Sequence, residues 1–124
     1  MTSFPPRDRG LDHAQETVIA ARVFETGSGP LTLHILPTPD ETPSMTYRFL
    51  DAAGDVVESL TTYGVDTVQA LLFCLAAAGD RLRVLDPEAS FAQTGVAGLP
   101  ITELGDPVVW RAVVTMPAGE APEG

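Results

Sequence analysis

The sequence predicts an α+β domain, an antiparallel sheet of four or five strands in a meander packed on one principal helix. Three observations carry that expectation. Runs of β-branched and alternating apolar residues recur from about Glu16 to Thr62, separated by links that contain Gly or Pro. One unbroken apolar stretch, Ala70 to Ala78, follows a helix-start pattern at Asp66-Thr-Val-Gln69. The chain has 124 residues, enough for one core and too few for two.

Residues 1–12 hold two prolines, two arginines and no apolar period, and read as a flexible tail. The single domain then spans 13–116. Glu16 to Phe24 carries a strand signal, with Thr17, Ile19, Ala21 and Val23 on one face. Gly27-Ser-Gly-Pro30 breaks it, and Leu31, Leu33 and Ile35 then alternate with Thr32 and His34, which makes a hairpin. Pro37, Pro39 and Pro43 stiffen the next link and leave Asp40 and Glu41 at its tip. Met45, Tyr47 and Phe49 alternate with Thr46 and Arg48 in a half-buried strand. Asp51-Ala-Ala-Gly-Asp55 is a turn in which Gly54 can take a positive φ, and Val56 to Thr62 forms the return strand.

Asp66 and Gln69 form a capping box: the Asp66 carboxylate accepts from the Gln69 amide, and the Gln69 side chain reaches back. The helix is expected over about 66–79, with Gly79 as its stop. Its apolar residues run nearly all the way round, so the sheet covers one face and the other needs a second cover. The chain's own Phe91, Leu99 and Ile101 are the expected source. Arg81 to Leu85 fits a short strand or a helical extension equally well. Residues 86–107 read as irregular, Val108 to Met116 as a final strand, and 117–124 as a second flexible tail rich in Pro, Gly and Glu.

Seven basic residues against seventeen acidic ones give a net charge of −10 and a pI near 4.3. The charge is spread evenly, −3 over residues 1–42, −3 over 43–86 and −4 over 87–124. Such a field repels phosphate backbones, and neither Arg7/Arg9 nor Arg81/Arg83 is flanked by aromatics, so no nucleic-acid partner is expected. Acidity serves solubility, and it also suits a basic protein partner. Mimicry of DNA fits poorly with the carboxylate-free stretch Thr67 to Gly79. No window approaches the roughly 20 apolar residues of a membrane helix, and the N-terminus does not read as a signal peptide. Cys74 is the single cysteine, which leaves no internal disulfide or cysteine zinc site and fits a reduced cytoplasm.

The run Tyr63-Gly-Val-Asp66-Thr-Val-Gln69-Ala-Leu-Leu72 resembles the helix start of a family of small bacterial domains of unknown function. The resemblance covers Tyr63 to Leu75 closely and, as topology, the chain from about Ala14; residues 87–124 lie outside it. It implies an antiparallel sheet followed by this helix, and it implies no activity.

Residue by residue, the chemistry is sparse. Cys74 lies within the apolar run, where burial suppresses the thiolate. His13 and His34 have no metal-ligand spacing, and the glycines assemble into no phosphate loop. Asp51, Asp55 and Glu58 flank one turn without the spacing of a calcium loop. No catalytic residue, metal or cofactor is therefore expected, and no motif supports enzymatic activity. The sequence is best read as a protein-interaction module, immunity- or antitoxin-like or an adaptor, that engages a basic partner. Asp40, Glu41, Asp51, Asp55 and Glu58 are its candidate contacts, and Asp66 and Gln69 are reserved for the helix cap. A monomer is favoured. The alternative is a small-molecule binder or enzyme with a pocket between the sheet and residues 86–107.

Overall fold

The computed structural model describes residues 17–103, 105 and 109–117. The tails expected over 1–12 and 117–124 lie outside these residues, apart from Pro117, as does the start of the strand expected from Glu16. The architecture is α+β, as the residue pattern predicts. Strands β1 (Ala20–Thr26), β2 (Gly29–Pro37), β3 (Ser44–Leu50) and β4 (Val56–Tyr63) form an antiparallel meander. A two-residue strand, β5 (Ser90–Phe91), adds to the free edge of β1, giving the order β4-β3-β2-β1-β5. Helix α1 (Thr67–Leu85) crosses one face of this sheet. Strands β6 (Pro100–Glu103) and β7 (Arg111–Val114) make a separate two-stranded antiparallel sheet.

Alternation decides which face is core. Phe24, Leu33, Ile35, Met45, Tyr47 and Phe49 point to the helix side and are buried, whereas His34 and Arg48 oppose each other on the far face. From α1, Ala70, Cys74, Ala78 and Leu82 close this core. At about 100° per residue, Ala76, Gly79 and Asp80 lie on the opposite side of the helix. That side is covered by β6: the Thr102 amide donates to Asp80 Oδ1 at 2.8 Å, and Pro100 abuts Gly79. Trp110 adds an edge-to-face contact with Phe73 at 5.0 Å between ring centroids. The helix thus lies between two sheets.

Three details depart from the sequence reading. Gly79 does not stop the helix; it lies buried within it, and α1 continues to Leu85 with Asp86 as C-cap. The glycine is there because β6 leaves no room for a β-carbon, a long-range reason rather than a capping one. Residues 86–107 are not wholly irregular, since they contain β5 and β6. The final strand is shorter than 108–116, occupying Arg111–Val114, and it pairs with β6 outside the main sheet.

Candidate functional site

The five carboxylates singled out as contacts do not form one surface. Asp40 and Glu41 lie in the β2–β3 loop; Asp51 and Asp55 lie in the β3–β4 turn. The seven residues of β3 separate these two ends by roughly 20 Å at about 3.3 Å per residue. Asp40 Oδ1 accepts from the Thr42 amide at 3.2 Å, within its own loop. Asp51 Oδ1 accepts from the amides of Ala53 and Asp55, both at 3.0 Å, and so organises the turn that Gly54 completes at φ +88°.

Glu58 differs from the expectation of a free loop carboxylate. It sits on β4 opposite Phe49 and faces the helix. Its Oε1 pairs with Arg81 Nε at 2.6 Å, and its Oε2 accepts from the buried Tyr47 hydroxyl at 2.9 Å. Burial and the Glu58 carboxylate both push the Tyr47 phenol well above its ordinary value. The hydroxyl therefore acts as a donor, and Glu58 is committed within the fold.

The cap is built nearly as the sequence implies. Asp66 Oδ1 accepts from the Gln69 amide at 2.8 Å, while Gln69 Oε1 accepts from the amide of Val65, one residue before the cap, at 2.8 Å. Cys74 is fully buried, and desolvation pushes its thiol up to about 11, against the partly offsetting Thr62 hydroxyl. Among the described residues no group of three or more His, Cys, Asp or Glu side chains is arranged to hold a metal ion.

Two features stand out once the chain is folded. The first is an acidic end. Because α1 follows β4 after a short turn, it runs back along the sheet and delivers Asp86 and Glu88 to the end that carries the β3–β4 turn. Glu25 sits at the same end of β1, its Oε1 accepting from Ser90 Oγ at 3.2 Å and the Gln93 amide at 3.0 Å. Asp51, Asp55, Glu25, Asp86 and Glu88 thus share one end, with Arg83 as the basic residue of the helix's last turn. Glu25, Asp86 and Glu88 carry no motif in the sequence, and only the path of α1 groups them with the turn.

The second feature is a cavity of about 310 Å³ between β1, β2, α1 and the segment entering β6. Leu33, Ile35, Leu75, Leu99 and Val114 make it apolar, and Arg22 lines it from β1. The half-buried guanidinium donates from one terminal nitrogen to the carbonyls of Ala97 and Gly98, at 3.0 and 3.1 Å. It also stacks 3.8 Å from the centre of the Phe91 ring. Alternation along β1 places Arg22 on the inner face, but nothing in the residue pattern reveals that Gly98 and Leu99 return beside it.

No family model matches the chain, and no curated protein or solved structure is significantly similar to it. Among the described residues no helix is long and apolar enough to cross a membrane.

Proposed function

We propose that the chain is a protein-interaction module, immunity- or antitoxin-like or an adaptor, that engages a basic partner in the bacterial cytoplasm. The observation that carries this reading is the acidic end. Asp51 and Asp55 on the β3–β4 turn share it with Glu25, Asp86 and Glu88, in a chain of net charge −10. Two backbone amides hold the Asp51 carboxylate in place, and a concentration of negative charge speeds encounter with a cationic surface and disfavours an acidic one. Such binding weakens with salt, because the field decays over about 8 Å at physiological ionic strength.

The test compares two charge reversals, Asp55→Lys with Glu88→Lys and Asp40→Lys with Glu41→Lys, in affinity capture from native lysate at low and high salt. The first pair is expected to abolish a salt-labile basic partner and the second to spare it. An acidic partner, or capture indifferent to salt, would leave the charge as a solubility device. A second reading, small-molecule binding between the sheet and residues 86–107, is favoured by the cavity at Arg22.

A further inference from the structure

We propose that this cavity binds a small amphipathic carboxylate, with the apolar tail between the sheet and α1 and the anionic head on Arg22. The proposal rests on the second reading, that the cavity is a ligand site, and is independent of the acidic end. Three observations support it. The volume, about 310 Å³, lies at the lower end of the roughly 300–1,000 Å³ typical of ligand pockets, room for a tail of about eight carbons. Leu33, Ile35, Leu75, Leu99 and Val114 offer that tail an apolar wall drawn from four parts of the fold.

The third observation is the charge. A half-buried guanidinium pays a desolvation cost, which carbonyl acceptors and an aromatic face offset only in part. Arg22 has partners of that kind, Ala97, Gly98 and Phe91, and among the described residues no carboxylate pairs with it. Guanidinium carries five N–H donors in a planar fork, so the two bonds from one nitrogen leave donors for a carboxylate. In a chain of net charge −10, this is a cation set in an apolar wall, and it selects an anion where the rest of the surface repels one.

Calorimetric titration of the full chain with octanoate, octan-1-ol and octyltrimethylammonium, each below its aggregation limit, tests the proposal. Octanoate is expected to saturate one site per chain and to bind about tenfold or more tighter than the alcohol, the worth of one charge-assisted hydrogen bond. The cation is expected not to bind. Arg22→Gln should remove the preference for octanoate over octanol, and Val114→Phe, which fills the cavity from the exposed hairpin, should weaken both. Circular dichroism checks the fold of each variant, and should Arg22→Gln not fold, the three-ligand comparison and Val114→Phe decide. Equal binding of octanoate and octanol would overturn the carboxylate assignment while keeping the cavity as a ligand site. Saturation by none of the three would overturn both.

Discussion

The carbonyl oxygen of Pro100 rests so close to Gly79 that a β-carbon on that glycine would lie 1.8 Å from it. This single approach seats β6 on α1, and the Thr102–Asp80 hydrogen bond and the Phe73–Trp110 ring contact flank it on the same side of the helix.

Gly79→Ala reverses the usual sign of its substitution. In an exposed helix interior the change favours folding by about 1 kcal/mol. Here the methyl group meets backbone, and the variant is expected to lose about 2–3 kcal/mol, as overpacked cores do. Urea denaturation measures the loss. Trp110 fluorescence should also shift to the red before global unfolding, as β6 and β7 leave the helix. A stabilised variant would refute the close approach.

Glu58→Ala is expected to cost more than Arg81→Ala. Removing the carboxylate strands the buried Tyr47 hydroxyl, a loss of about 2 kcal/mol for an unsatisfied donor. Removing Arg81 leaves the Tyr47–Glu58 bond intact and breaks a partly exposed ion pair worth under about 1 kcal/mol. Chemical denaturation of both variants and of the double variant separates the two contributions.

Stability is expected to fall above about pH 9. The Cys74 thiol is raised from 9.0 to about 11, and the Tyr47 phenol is raised above its ordinary 10.0. In that window the unfolded chain releases protons that the folded chain keeps. Each pH unit therefore favours unfolding by up to about 1.4 kcal/mol per group, and the contribution is whole only below the unfolded values. Urea midpoints from pH 8 to 11 should decline, and Cys74→Ala and Tyr47→Phe should each flatten the decline. By the same burial, a thiol reagent should label Cys74 only when the chain unfolds.

Asp66→Ala is expected to lower stability by about 1 kcal/mol, since the Gln69 amide loses its acceptor at the helix start. Thermal melting measures it, and Asp66→Asn should recover most of the loss.

Local pattern made much of this legible. The alternation of Leu33 and Ile35, and of Met45, Tyr47 and Phe49, identified both the strands and the face that becomes core, because a period of two has one buried solution. The Asp66–Gln69 cap needed only residues three apart. Gly79 reads locally as a stop because the reason for it lies about twenty residues on, in Pro100. Glu58 read as a turn carboxylate because neither Tyr47 nor Arg81 is near it in the chain.

What the sequence by itself determined is the meander, the core face of β2 and β3, the helix start and the acidity, all set by spacings of a few residues. At β1 the face with Ile19 and Val23 turned out to be the exposed one, and Phe24 the buried residue. The tertiary structure alone decided the rest. It laid α1 between two sheets, gathered Glu25, Asp51, Asp55, Asp86 and Glu88 at one end, and left an apolar cavity beside Arg22. These arrangements depend on where the chain returns after α1. That return is governed by close packing of distant backbone, which leaves no periodic trace in the residues that make it.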